Sequence, residues 1–313
     1  MMRDVMCAVR DARSGVRRFA AFALAMGSVA SLSGCATGTT STASAPAAGT
    51  LITVREGFVG PEAVRYDPEQ DVYFVGNWGS DRNPGKADND GYISRMRPDG
   101  TIENLRFIAG GTNGVTLHSP RGMYIVGDTL WAADFDAVRG FDRHTGKPLA
   151  TVDFSNIERG FLNDVAADAT GAIYVTDTGK NALYRVRGGP TLVVSDTALG
   201  GPNGITWDAA NNRFLILPFG GSHTIHAWAP GTTTLVNAMT DPASKFDGIE
   251  VLSGGRVLAS SQADSALHLF VNGTGRPIIK VGGPPADIAI DTKRNRVAVP
   301  IVAMNRVEIY QLP

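Results

Sequence analysis

Pro202-Asn203-Gly204-Ile205, followed about ten residues later by the apolar run Phe214-Leu215-Ile216-Leu217, is one copy of a unit that returns six times along the chain. The other openings are Pro61-Glu62-Ala63-Val64, Pro120-Arg121-Gly122-Met123, Leu162-Asn163-Asp164-Val165, Phe246-Asp247-Gly248-Ile249 and Pro285-Ala286-Asp287-Ile288. Each predicts the start of a strand, and each precedes a second β-branched or aromatic run bounded by Gly, Asn, Asp or Pro. A third run follows in most units, as in Ala182-Leu183-Tyr184-Arg185-Val186, and a short fourth strand would complete each one. The second positions of the openings are 59, 42, 40, 44 and 39 residues apart, which fits the roughly 40–50 residues of a four-stranded propeller blade. The expected fold is all-β, a six-bladed β-propeller over residues 51–313. Two sandwich domains would leave the six-fold return without a cause. The long first interval contains Gly79–Asp90, an insertion between two strands of the first blade that is expected to lie over one end of the channel.

Working outward, the 313 residues are 43% hydrophobic and 19% charged with a net charge of −1, the composition of a soluble globular protein. No Lys/Arg cluster lies beyond residue 18, so nucleic acid is not an expected partner. Residues 1–34 read as a lipoprotein signal peptide: Arg10, Arg13, Arg17 and Arg18, the apolar stretch Phe19–Leu32, then Leu32-Ser33-Gly34-Cys35, which resembles a bacterial lipobox. The apolar stretch is shorter than the roughly 20 residues of a bilayer span. Cys35 would carry lipid, the Ser/Thr/Ala-rich residues 35–50 would be a flexible tether, and the lipid would be the sole contact with a membrane. Ala36 after the cysteine favours the outer membrane facing the periplasm. Without residues 1–34 the chain carries a net charge of −4 and no thiol besides Cys35, so no disulfide is expected.

The innermost strands of a propeller run along its axis, so the second motif positions should form a ring at one mouth: Glu62, Arg121, Asn163, Asn203, Asp247 and Ala286. Four of the six offer oxygen, a hard donor set suited to Ca²⁺, with Mg²⁺ or Mn²⁺ as alternatives. Singly, Asn-Gly, Asn-Asp and Asp-Gly are ordinary turn dipeptides. Glu62 is not a turn former, however, and four oxygen donors at one repeat phase point to a cation. The five His residues show no HExxH spacing and the GxSxG elbow is absent, which disfavours a His/Cys zinc site and a serine hydrolase. Asp164 adjoins Asn163, and His118 and Arg121 flank the ring within expected reach of a substrate oxygen. Asp134 and Asp177 end second strands, where they would either face the channel or cap strand ends. Asp88-Asn89-Asp90-Gly91 lacks the later Glu of a calcium loop and reads as a solvated segment.

At these residues the sequence resembles the family containing gluconolactonase, senescence marker protein (regucalcin) and luciferin-regenerating enzyme. The resemblance covers most of residues 55–312 and implies a divalent-metal hydrolase of a lactone or small ester. Glu62, Asn203 in Asn203-Gly204 and Asp247 in Asp247-Gly248 match the family's metal ligands, and Asn163 in Asn163-Asp164 its residue facing substrate or solvent. The resemblance also gives Asp247 the proton-transfer role. The chain departs from the pattern where gluconolactonase-like members carry a substrate-binding Arg, a position held here by Phe161, with Arg159 further upstream. Paraoxonases, which are more distant, open blade two with a catalytic His where this chain has Arg121. The competing expectation is a non-catalytic, lipid-anchored binding scaffold whose metal only clamps the blades.

Overall fold

The structure, a computed structural model, describes residues 49–313. The signal peptide, Cys35 and nearly all of the tether lie outside the described residues. Twenty-four short strands and three single-turn 3₁₀ segments make up the regular structure, and no described helix is long and apolar enough to cross a membrane.

The strands pair in chain order as antiparallel meanders. The first is β2 (Pro61–Asp67), β3 (Val72–Asn77), β4 (Tyr92–Met96) and β5 (Ile102–Ala109); the second is β6 (Met123–Val126), β7 (Thr129–Ala133), β8 (Ala137–Asp142) and β9 (Pro148–Asp153). The third is β10 (Leu162–Ala167), β11 (Ile173–Asp177), β12 (Ala182–Val186) and β13 (Pro190–Ser195). An eight-stranded sheet follows, built from β14 (Pro202–Asp208), β15 (Arg213–Pro218), β16 (Thr224–Trp228) and β17 (Val236–Thr240) and from β18 (Phe246–Val251), β19 (Val257–Ser261), β20 (Ala266–Val271) and β21 (Thr274–Lys280). One parallel bridge between Thr240 and Thr274 joins its halves. The last sheet holds β22 (Ala289–Asp291), β23 (Arg296–Ile301) and β24 (Arg306–Gln311), and its outer strand is β1 (Thr50–Glu56) from the other end of the chain. Two openings differ from expectation: Arg121 and Ala286 precede β6 and β22 rather than lying within them.

Burial grades from inside to outside. Every residue of β10 is buried, whereas β9 and β1 are largely exposed with partial alternation, because inner strands are covered on both faces and outer strands on one. Six apolar clusters lie between successive meanders. Phe74, Met123 and Phe141 join the first to the second; Val138 and Val175 the second to the third; Tyr174, Phe214 and Trp228 the third to the fourth. Leu215, Phe246 and Phe270 bridge the halves of the eight-stranded sheet, and Leu258, Leu267 and Val297 continue to the last sheet. Val64, Tyr73, Ala298 and Val307 pack the last sheet against the first. The clusters therefore close a circle, the arrangement of a β-propeller, with the inner strands around its axis.

Candidate functional site

Four inner strands begin with a break in register: between Pro61 and Ala63, Leu162 and Val165, Pro202 and Ile205, and Phe246 and Ile249. Such a bulge re-aims a side chain that regular pleating would send elsewhere. The residues in the breaks include Glu62, Asn163, Asn203 and Asp247, and all four line one cavity of about 280 Å³ together with Ala286. Neither Asn203 nor Asp247 has a positive φ, and neither does the glycine after it. These pairs are strand starts rather than turns. Their glycines serve close approach: a Cβ on Gly248 would stand 2.7 Å from the Cα of Asp287 on the neighbouring segment.

Hydroxyls tie the inner strands together. Thr176 Oγ1 accepts from the Asp164 amide (3.0 Å) and donates to the Asn203 carbonyl (2.7 Å); Ser260 Oγ accepts from the Gly248 amide (2.8 Å) and donates to the Ala286 carbonyl (2.8 Å). Thr178 Oγ1 accepts from Asn163 Nδ2 (3.1 Å) and donates to the Pro202 carbonyl (2.7 Å). Asp164 spends both oxygens on backbone, accepting from the amides of Val165 (2.7 Å) and Ile205 (2.8 Å). It supports the ring by fixing β14 and does not line the cavity.

The carboxylates are the unusual part. Glu62 and Asp247 are 4% and 3% exposed, yet Glu62 Oε2 and Asp247 Oδ1 have no hydrogen-bond partner among the protein atoms. Asp247 Oδ2 accepts from Gln262 Nε2 at 2.7 Å, which fixes the carboxylate and leaves Oδ1 free. Burial pushes the Asp247 carboxyl up to about 7 against the opposing amides of Gln262 and Asn203, and Asp164 to about 7 as well. Glu62 rises well above the usual carboxylate range, through burial first and then the Asp247 charge. Two buried acids with bare oxygens beside an amide are costly alone and fit a divalent cation. Larger concavities lack this feature. In the groove of about 750 Å³ around Trp131 and Val186, the oxygens of Asp153 are bonded to Ser155; in the one of about 560 Å³, Arg65 pairs with Glu250 and Arg143 with Asp67.

Arg121 and His118, expected near a substrate oxygen, do not line the cavity. Arg121 is 1% exposed; its Nη atoms donate to the carbonyls of Leu162 (2.6 Å) and Pro84 (2.6 Å), and its guanidinium lies 3.7 Å from the ring centre of Phe161. Burial draws its pKa down to about 10. His118 Nδ1 accepts from the Asn89 amide (2.9 Å), and Asn89 Oδ1 accepts from the Leu117 amide (2.8 Å). Both residues therefore hold the Gly79–Asp90 insertion, and Asn89 is docked rather than solvated. Arg159 is also elsewhere, its Nε donating to the Phe135 carbonyl at 3.0 Å.

His118, Asp134 and Asp136 form a group whose ligand atoms lie within 4.8 Å of one another, close enough for a divalent ion. Its lone pairs are largely committed. Asp134 accepts from the amides of His118 and Ser119 and from Arg139 Nε (2.6 Å), while Asp136 accepts from Arg139 Nη2 (2.6 Å). With Nδ1 accepting an amide hydrogen, the proton of a neutral imidazole sits on Nε2, the nitrogen that faces Asp136. The arrangement braces the insertion. Asp177 acts similarly, accepting from the amides of Gly160 and Phe161 (both 2.8 Å), so both aspartates cap the segment before an inner strand.

A second layer is not foreshadowed by the motif. The residue just after the second strand of a meander lines the cavity in five cases, Trp78, Thr178, Phe219, Gln262 and Val302. In the second meander the middle strand ends one residue earlier, so Asp134 matches Asp177 and the equivalent place falls to Phe135, which does not line the cavity. Phe161 completes the wall over Arg121. The signal was available two or three residues beyond each second apolar run, but its chemistry changes from unit to unit.

No protein-family model matches the chain, and no curated protein does. Solved structures do. A gluconolactonase from Xanthomonas campestris superposes with a TM-score of 0.65 at 17% identity, covering 85% of this chain and 95% of that one. Virginiamycin B lyase from Staphylococcus aureus gives 0.57 at 14% identity over 83% and 99% of the two chains. A streptogramin B lyase gives 0.58 at 12% over 85% and 97%. The likeness shows a shared β-propeller fold. Hydrolase and lyase names on one fold leave function to the site.

Proposed function

We propose that the protein is a divalent-metal-dependent hydrolase of a lactone or small ester, built on six blades and anchored by lipid on Cys35 to the outer membrane, facing the periplasm. One observation carries the reading: Glu62 Oε2 and Asp247 Oδ1 are buried, unpartnered and on the wall of one cavity with Asn203. The gluconolactonase likeness in fold and the match of Glu62, Asn203 and Asp247 to that family's ligands support the same choice. The anchor rests on the Leu32-Ser33-Gly34-Cys35 motif alone.

Glu62, Asn203 and Asp247 would hold the ion, Ca²⁺ in the first instance and Mg²⁺ or Mn²⁺ otherwise. When bound, such an ion polarises a carbonyl and stabilises developing oxyanion charge. Gln262 keeps Asp247 Oδ2 occupied so that Oδ1 points to the ligand side. The Asn163 side chain, steadied by Thr178, would orient a substrate oxygen. Phe161, Phe219 and Trp78 exclude water from the walls. The family resemblance would also give Asp247 the transferred proton; with Oδ1 on the ion, that proton would have to sit on the remaining lone pair of Oδ2, beside the Gln262 hydrogen bond.

The test is calorimetric titration of Ca²⁺ into the metal-stripped protein, beside a colorimetric assay of lactones with and without metal. Binding and metal-dependent turnover, both abolished in Asp247→Ala, are the expected result. Unchanged turnover in that variant would overturn the assignment.

A further inference from the structure

The lining of the cavity combines two chemistries. Glu62, Asn203 and Asp247 supply oxygen, whereas Trp78, Phe161, Phe219 and Val302 make most of the remaining surface apolar. We propose that the substrate is a lactone or ester with an apolar alkyl or aryl arm, held against Phe161, Phe219 and Val302, and not a polyhydroxylated sugar lactone. The proposal rests on the hydrolase reading and adds the substrate class.

Three features weigh against a polyol. First, the polar groups beside the carboxylates are few and partly committed: Thr178 Oγ1 both accepts and donates, and Asn163 Nδ2 and Gln262 Nε2 each spend one hydrogen on Thr178 and Asp247, which leaves little beyond the rest of these two amides to meet a substrate's hydroxyls. Several sugar hydroxyls would lie on aromatic carbon without partners, and unpaired buried hydroxyls are strongly penalised. Second, no cationic side chain lines the space. The nearest candidate, Arg121, is covered by Phe161 and donates to the Leu162 and Pro84 carbonyls. Third, Phe161 is fixed, because Asp177 holds the amides of Gly160 and Phe161 and the ring stacks on Arg121. Exchanging it for a polar contact would require moving a clamped segment. At about 280 Å³ the cavity has the liquid volume of about nine water molecules, room for a small ring and a short arm.

The experiment is a chain-length series, γ-valerolactone to γ-octalactone, with D-glucono-δ-lactone, on the Ca²⁺-loaded protein. kcat/KM should rise about fourfold per added methylene, the factor expected for burying one CH₂. The sugar lactone should be slower than the shortest alkyl lactone. Phe219→Ser and Val302→Ser, made separately, should each flatten the rise. A sugar lactone turned over as fast as γ-octalactone, or a slope unaltered in both variants, would overturn the proposal while leaving the hydrolase reading intact. If no lactone is hydrolysed, the hydrolase reading fails, and calorimetry with 2-alkylcyclopentanones decides the ligand class. Affinity rising with chain length would uphold the apolar arm; no binding, or none dependent on length, would overturn it.

Discussion

Gly204 approaches the backbone carbonyl oxygen of Asp247 so closely that a Cβ on the glycine would overlap it. The two inner strands β14 and β18 converge at this point, and the side chains beside it, Asn203 and Asp247, face one cavity. Gly204→Ala should therefore act on both stability and the site. Overpacking of this kind costs about 1–3 kcal/mol, seen as a Tm lower by several degrees. Ca²⁺ affinity should fall in the same variant, because relieving the overlap moves Asn203 away from Asp247. Unfolding curves and calcium titration of the variant check this; a normal affinity would mean the strand spacing does not set the site.

Asp247→Asn separates a ligand from a structural carboxylate. Gln262 can still pair with the new side chain after an amide flip, so packing is kept. In the metal-free state at pH 8 the substitution removes a buried charge near Glu62 and Asp164, and Tm should equal or exceed that of the parent. The rise in Tm produced by Ca²⁺ should vanish, with affinity lower by about 100-fold or more, since even residues that merely support metal ligands cost 10–100-fold. A variant that melts lower without metal and still responds to Ca²⁺ would refute the ligand role.

What the sequence disclosed depended on repeat phase. Glu62, Asn163, Asn203 and Asp247 recur at one position of one motif, so the cavity wall they share could be anticipated from spacing. Arg121 occupies the same phase but not the same place, because its guanidinium is taken by the carbonyls of Pro84 and Leu162. That outcome depends on how the Gly79–Asp90 insertion docks, a non-local contact without periodicity. Trp78, Phe219 and Val302 were hidden for another reason: they share a position defined by strand ends, and nothing in Trp, Thr, Phe, Gln and Val marks them as equivalent. Asn203-Gly204 resembled a turn because the usual demand for glycine is a positive φ, whereas this glycine answers a close approach.

The pH dependence of the metal-free protein follows from the buried acids. Asp247 and Asp164 are each raised to about 7, and Glu62 and Asp287 well above the usual range, with burial the leading cause for all four. A carboxyl raised by folding binds more protons in the native state than in the unfolded one. Its contribution is complete below about pH 4 and is lost as pH rises through the folded value. Between pH 5.5 and 8 the metal-free Tm should therefore fall by several degrees. Ca²⁺ should oppose this, with a larger gain in Tm at pH 8, where fewer protons must be released to solvent from Glu62 and Asp247 before the ion can bind. Thermal melts at both pH values with chelator and with Ca²⁺ check the sign; a flat metal-free profile would contradict it.

Closure of the ring predicts a sharp boundary at the N-terminal end of the fold. β1 runs antiparallel to β24, with Thr50 opposite Gln311 and Glu56 opposite Arg306, so one strand from the start of the chain completes the sheet formed by its end. A chain of residues 49–313 retains that strand, and one of residues 57–313 loses it. In the shorter chain β24 becomes an open edge with unpaired backbone groups, the template on which strands of other molecules add. The damage would spread beyond that edge: the buried Val307 and Ile309 of β24 also pack with Tyr73 and Val75 of the first meander, so a frayed last sheet weakens the seam that closes the circle. The longer chain should melt as a single cooperative transition and remain monomeric. The shorter one should melt at least 10 °C lower, roughly the effect of removing several ladder hydrogen bonds at about 1 kcal/mol each, and should aggregate on heating. Equal melting temperatures for the two chains would show that the circle is held by its apolar seams alone and that β1 is dispensable.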